Sequence, residues 1–79
     1  MATFNGWSNR ETWCAYGWLT SDEMTYFYCQ LFARRDSCAL AHRLMGLARD
    51  TLPTIALDDI GDIRQVNWAE LAHAFTSED

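Results

Sequence analysis

The sequence predicts an all-α protein, a compact single domain of four or five short helices over residues 1–79. Three sequences typical of helix starts are spread along the chain, and apolar residues recur between them at helical spacing. Only one proline, Pro53, and four glycines interrupt this pattern. A chain of 79 residues has room for one domain with one core.

The first helix is predicted over about residues 9–19, after the stretch NGWSNRETW. Within it, Ser8 and Glu11 have the spacing of a capping box. The Ser8 hydroxyl would accept a hydrogen bond from the N–H of residue 11, and the Glu11 carboxylate would accept from the N–H of residue 8. We therefore expect Ser8 to be the N-cap. One face of this helix would carry Trp13, Tyr16 and Gly17.

The second helix is predicted to begin at another capping box, formed by Thr20 and Glu23. It would end at Arg34 and Arg35, whose charges suit a helix C-terminus. Between these ends runs an apolar stripe at the spacing of one helix face, which predicts the buried side. The stripe consists of Met24, Phe27, Tyr28, Leu31 and Phe32.

A third helix is predicted after Asp36 or Ser37, either of which can cap it. Gly46 weakens this helix by about 1 kcal/mol relative to alanine, and Pro53 marks its end or the start of the next element. Its apolar stripe consists of Leu40, Leu44 and Leu47.

Residues 54–65 allow two interpretations. A short helix containing Gly61 would line up Ile60 and Ile63, whereas the frequent β-branched residues favour a strand.

The last helix is predicted over about residues 68–75. Asn67 and Glu70 form a third capping box, and Val66 and Leu71 have the spacing of a hydrophobic staple. Trp68 would lie at the start of this helix, which would bury Leu71, Ala72 and Phe75.

Aromatic residues are concentrated in the N-terminal half, where nine of the eleven lie within the first 32 positions. A core this small cannot bury all of them, and Trp and Tyr are frequent in binding hot spots. We expect at least one ring to be an exposed contact. The candidates are Trp7, Tyr16, Tyr26 and Tyr28, while the expected core includes Trp13, Phe27, Leu31 and Leu44.

The charge of −5 is concentrated at one end of the chain. Residues 1–49 carry five arginines and four acids, residues 50–79 carry one arginine and seven acids, and lysine is absent. This distribution disfavours direct binding to nucleic acid or to an anionic membrane and favours a basic protein partner. The candidate partner-binding residues are Asp58, Asp59, Asp62 and Glu70, together with Trp7 and Tyr16; a merely solvated acidic face is the alternative.

No catalytic or metal-binding constellation emerges, so we expect no enzymatic activity, metal or cofactor. Cys38 and His42 would share one helix face and, with Cys29 or His73, could bind a metal, but no paired motif anchors such a site. The acidic cluster lacks the register of a calcium loop. An odd number of cysteines, with neither a signal peptide nor a membrane-length apolar run, predicts free thiols in the host cytoplasm.

Three pieces of the chain, NGWSNRETW, WLTSDE and VNWAELA, resemble a group of small proteins encoded by phages, plasmids and other mobile elements. The second piece departs from the group's pattern, since Thr20 and Ser21 stand where an Asn is expected before the Asp-Glu pair. Some small acidic phage proteins of this size are anti-CRISPR proteins, and the resemblance implies one that acts on a type I-C surveillance complex. It carries no functional residues over to this chain.

Three functional hypotheses follow. The first is a phage-encoded inhibitor that binds a nucleic-acid-handling host complex, most specifically a type I-C CRISPR complex whose recruitment of target DNA it blocks. The second is a small regulatory or anti-restriction module of a mobile element, monomeric or a homodimer that associates through its aromatic face. The third is a metal-dependent or thiol enzyme, which the missing constellation disfavours.

Overall fold

Helices account for nearly all of the observed fold. The computed structural model describes residues 6–35 and 37–77, and this part of the chain contains no strand. The α-helices are α1 (Arg10–Ser21), α2 (Glu23–Arg35), α3 (Leu40–Thr51), α4 (Thr54–Ile60) and α5 (Trp68–Thr76), with short 3₁₀ helices at Ser37–Ala39 and Ile63–Gln65. The predicted all-α class is confirmed, and residues 54–65 form α4 and a 3₁₀ helix rather than a strand. The helix does not contain Gly61, however, because α4 ends at Ile60 and Gly61 follows it with a φ of +93°.

The helices form one globule with a radius of gyration of 11.5 Å, close to the roughly 11.6 Å expected for a compact chain of this length. Helix α1 lies against α2, α4 and α5, while α5 also contacts α2 and α3. The first and last helices are therefore in direct contact, although they lie at opposite ends of the sequence. None of the helices in residues 6–35 and 37–77 has the length and apolar content of a membrane span.

The core is built largely from aliphatic side chains, not from the N-terminal aromatic rings. Leu44 is fully buried, as predicted, and Leu31 is half-buried. The prediction was wrong for Trp13 and Phe27, which are both exposed. The buried apolar residues are Cys14, Ala15, Leu19, Cys29, Leu40, Leu44, Ala48, Leu52, Ala56, Ile60, Val66, Leu71 and Phe75.

The face of α2 that packs on the core is rotated by about 100° from the predicted one. Its buried residues are Thr25 and Cys29, whereas Met24, Phe27 and Tyr28 of the predicted stripe point to solvent. Short residues also dominate the buried face of α1, and small side chains on facing helices allow close approach. The stripe of large residues was therefore a misleading indicator of burial.

Two of the three predicted helix caps are displaced. Asn9, not Ser8, caps α1, and its Oδ1 accepts from the backbone N–H of Thr12 at 2.9 Å. Asp22, not Thr20, precedes α2, and its carboxylate accepts from the N–H and the hydroxyl of Thr25. The Thr20 hydroxyl donates back to the carbonyl of Tyr16 within α1.

The third predicted cap is confirmed in part. Asn67 caps α5 and accepts from the backbone N–H of Glu70 at 3.1 Å. The Glu70 carboxylate, however, accepts from Ser8, and the N–H of Asn67 donates to the Thr12 hydroxyl. The first and the last motif thus supply partners to each other's helix, while the bond from the Glu70 N–H to Asn67 still closes within the last motif.

Candidate functional site

A polar junction joins the start of α1 to the start of α5. Glu70 accepts hydrogen bonds from the backbone N–H and the hydroxyl of Ser8, at 3.2 and 2.8 Å. The Asn9 side-chain amide donates to the carbonyl of Gln65 at 2.8 Å. This junction, formed by Ser8, Asn9, Thr12, Asn67 and Glu70, unites the two most specific sequence motifs of the chain.

Thr12 lies at the buried centre of the junction. Its hydroxyl donates to Asn9 Oδ1 and accepts from the backbone N–H of Asn67 at 2.9 Å. A single hydroxyl thus satisfies polar groups at two helix starts, and buried polar groups are costly without such partners. The opening motif is accordingly a structural joint, and it places Trp7 beside α1.

An open groove of about 470 Å³ runs along the outer face of α1 beside this joint. Its walls are predominantly aromatic, and Gly17 supplies a gap in the row of side chains. Apart from its own helix and chain neighbours, a Cβ at Gly17 would meet no heavy atom within 4 Å. The groove residues are Trp7, Trp13, Cys14, Tyr16, Gly17, Trp18, Ser21 and Asp59.

Ring packing fixes one wall of the groove against the core. The ring centroids of Trp7 and Tyr16 are 4.8 Å apart, and Tyr16 lies 5.6 Å from the buried ring of Phe75. Tilted aromatic pairs at these distances are favourable beyond the burial of area. The Trp7–Tyr16 wall is therefore held in place from behind by α5.

A carboxylate closes the opposite edge of the groove. Asp59 Oδ2 accepts from the indole N–H of Trp18 at 3.0 Å, which fixes the orientation of that ring. Arg10 Nη2 lies 3.5 Å from Asp59 Oδ1, and both side chains are about half exposed. The carboxylate therefore remains accessible from solvent while it interacts with a guanidinium.

Apolar ring faces beside a carboxylate suit a cationic group on an apolar stem. Tryptophan and tyrosine faces attract cations, and the carboxylate supplies a charged acceptor. The groove's one thiol is less suited to chemistry, because burial raises the pKa of Cys14 and disfavours the reactive thiolate. These groups suit non-covalent contact with such a ligand.

The six predicted partner-binding residues are divided among several places. Trp7, Tyr16 and Asp59 lie together in the groove. Asp58 is exposed, and no described side chain forms an ion pair with its carboxylate. Asp62 is paired with Arg64 at 3.1 Å, and that bond holds the pKa of Asp62 below its ordinary value. Glu70 belongs to the junction, so the four carboxylates do not form one free acidic patch.

Five groove residues were not predicted as contacts from the sequence. Trp13 was assigned to the core, and no contact role was predicted for Cys14, Gly17, Trp18 or Ser21. The spacing of Trp13, Gly17 and Ser21, four residues apart along α1, places them on one face. A helix face with a tryptophan, a glycine and a serine at successive turns was the signal that could have found the groove.

The cysteines and histidines do not converge. Cys29 is fully buried in α2, whereas Cys38 and His42 are exposed. Within residues 6–35 and 37–77, no three His, Cys, Asp or Glu side chains are grouped as metal ligands. All three cysteines are free thiols.

Comparisons with protein-family models, with curated proteins and with solved structures find no match for this chain.

Proposed function

We propose that this protein is a binding inhibitor that attaches to a basic, nucleic-acid-handling protein complex of a host cell. The aromatic groove with the Asp59 carboxylate at its edge is the observation that carries the proposal. The net charge of −5 supports it, because a negatively charged surface is attracted to a surface that evolved to bind phosphates. The protein itself would not bind nucleic acid.

The ligand of the groove is an arginine or lysine side chain of the partner. Its apolar stem would lie against the rings of Trp7, Trp13 and Tyr16, and its charged head would reach Asp59. Arginine fits best, because its planar guanidinium both stacks on aromatic rings and bonds to a carboxylate. An anionic or purely aliphatic ligand would leave Asp59 unused.

Arg10 already holds a guanidinium beside Asp59, so it competes with the partner's cation. An exposed ion pair of this kind contributes only about 0–1 kcal/mol and is readily exchanged. Arg10→Ala should therefore strengthen partner binding, whereas loss of a supporting residue would weaken it. A gain in affinity on Arg10→Ala would identify Arg10 as a competitor for Asp59, because loss of a structural residue would lower the affinity.

The specific host complex in this proposal is the type I-C CRISPR surveillance complex, with recruitment of target DNA as the blocked step. Resemblance of the opening and closing motifs to small proteins of mobile elements supports this choice, as does the acidic composition. Anti-restriction is the nearest alternative, since restriction enzymes also present basic DNA-binding surfaces. The site of action in both cases is the host cytoplasm.

The test is plasmid interference in cells that carry one defined defence system each, with and without this protein. Gly17→Leu places a side chain in the groove where an added Cβ meets no neighbour, so the fold should survive. Gly46→Leu is the matched control, because Gly46 also lies within a helix without close neighbours but outside the groove.

We expect the wild type and Gly46→Leu to abolish type I-C interference and Gly17→Leu to restore it. If the protein protects the plasmid only in cells that carry a restriction system, the anti-restriction assignment would replace the CRISPR assignment. A wild type without effect on either defence would overturn the inhibitor proposal. Full inhibition by a folded Gly17→Leu protein would exclude the groove as the contact.

A further inference from the structure

Helix α2 presents an apolar face that nothing in the described structure covers. The exposed fractions of Met24, Phe27 and Tyr28 are 59%, 54% and 42%. Leu31, on the same face, is half-buried. The rings of Phe27 and Tyr28 are in edge contact with centroids 5.9 Å apart. Contiguous exposed apolar side chains of this kind mark interaction sites.

Opposite charges flank this face at its two ends. Glu23 lies in the first turn of α2, and Arg34 and Arg35 lie in its last turn. All three side chains are exposed, and no described residue forms an ion pair with them. Glu23 and Arg34 are eleven residues apart, about three turns, so they lie on the same side of the helix.

This face is complementary to itself. In a symmetric pair, a two-fold axis perpendicular to the two α2 helices would pass between them. We place this axis at the level between Phe27 and Tyr28. Met24 then lies at the level of Leu31 of the second copy, and Phe27 at the level of Tyr28. The same rotation places Glu23 on the same side of the pair as Arg34 of the second copy. The two residues then differ in level by about two positions, or ~3 Å, along the helix axis.

We propose that the protein forms a symmetric homodimer through antiparallel pairing of its α2 helices. Apolar burial along Met24, Phe27, Tyr28 and Leu31 drives association, and the two Glu23–Arg34 pairs determine the antiparallel direction. One helix face is small beside a standard interface of about 800 Å² per partner. We therefore expect a dissociation constant on the order of micromolar. The inference is independent of the groove on α1.

The experiment is sedimentation velocity over a wide range of protein concentration, with two charge-reversed variants. Glu23→Arg places like charges opposite Arg34 in its own dimer, and Arg34→Glu does the same opposite Glu23. Each variant alone should dissociate at least tenfold more readily than the wild type. An equimolar mixture of the two restores both ion pairs, so it should associate about as well as the wild type.

In a parallel pair the wild type would place Glu23 against Glu23 and Arg34 against Arg34, so the mixture would associate more tightly than the wild type. Recovery to the wild-type level therefore indicates antiparallel pairing, and misfolding of either variant could not produce it. Arg49→Glu, at an exposed position of α3 beside Asp50, is the control for a change of net charge and should not alter association. Phe27→Ser should keep the fold and abolish the dimer. A wild type that stays monomeric up to millimolar concentration, or a mixture that fails to associate, would overturn the proposal. A monomeric wild type whose inhibition is lost on Phe27→Ser would assign the face to a host protein instead.

Discussion

At the scale of single residues, a buried hydroxyl stabilises the fold at a position next to an exposed tryptophan. Thr12 is fully buried and connects the cap of α1 to the backbone of Asn67. Trp13, its neighbour, is 39% exposed and lines the groove. Adjacent positions on a helix face different surroundings, so one stabilises the fold while the other is available for binding.

Removal of the Thr12 hydroxyl should destabilise the fold. Thr12→Val keeps the shape of the side chain but removes the acceptor for the N–H of Asn67 and the donor to Asn9 Oδ1, which costs about 1–3 kcal/mol. Thr12→Ser keeps the hydroxyl and should recover most of this loss. Urea denaturation of the three proteins measures it, and equal stability of the valine and serine variants would show that the hydroxyl is dispensable.

Trp13→Ala should cost far less stability than its size suggests. Because the ring is exposed, we expect a loss of roughly 1 kcal/mol, about 4–8 °C in Tm for a domain of this size. Leu44→Ala, in the fully buried centre of α3, should cost about 2–5 kcal/mol. Thermal melts followed by circular dichroism compare the two variants. A larger loss of stability for Trp13→Ala than for Leu44→Ala would show that the Trp13 ring is part of the core.

At the scale of elements, the start of a helix depends on which polar side chain is free to accept from its first N–H groups. Asp22 caps α2 because Thr20 and Ser21 bond back to carbonyls of α1. The backbone and side-chain hydrogen bonds from Thr25 lower the pKa of Asp22. The cap is therefore an ionised carboxylate at neutral pH, where it also interacts favourably with the helix dipole.

The contribution of this cap should depend on pH. Since the folded-state pKa is below the ordinary value of about 3.9, the stabilisation is present above that value and is lost as pH falls through the folded-state pKa. Asp22→Ala should thus lower Tm at pH 5–7, and the difference from the wild type should shrink below about pH 4. Asp22→Asn keeps a capping oxygen and should lie closer to the wild type at neutral pH. A Tm difference for Asp22→Ala that is constant from pH 7 to pH 2 would contradict this role.

At the scale of the whole molecule, the acidic charge of the C-terminal third is distributed rather than concentrated. Asp62 is paired with Arg64, Glu70 belongs to the junction with Ser8, and Asp59 borders the groove. In the proposed complex, overall charge would attract a basic partner from a distance, and the groove, with Asp59 at its edge, would provide the specific contact.

Two neighbouring carboxylates on α4 should differ in their effect on binding. Asp59→Asn removes the charge at the groove and should raise the dissociation rate from a purified type I-C surveillance complex. Asp58→Asn, at an exposed position outside the groove, should change mainly the association rate, by an amount that falls as salt screens it. Surface plasmon resonance at low and moderate salt separates the two rates. Equal effects of the two variants would indicate a diffuse acidic contact and no specific role for the groove.

The sequence by itself determined the helical class, a count of four or five helices and the Asn67 cap of α5, because spacing and capping are local properties. It could not determine which face of α2 is buried, since apolar residues occupy both faces and the choice depends on the helices packed against it. For the same reason Ser8 and Glu70 could be read as parts of separate capping boxes, although they bond to each other across 62 positions of the chain. The groove exists because α1 and α4 bring Asp59 to Trp18, and the polar junction places Trp7 against Tyr16. Such contacts depend on tertiary packing, which no local pattern encodes.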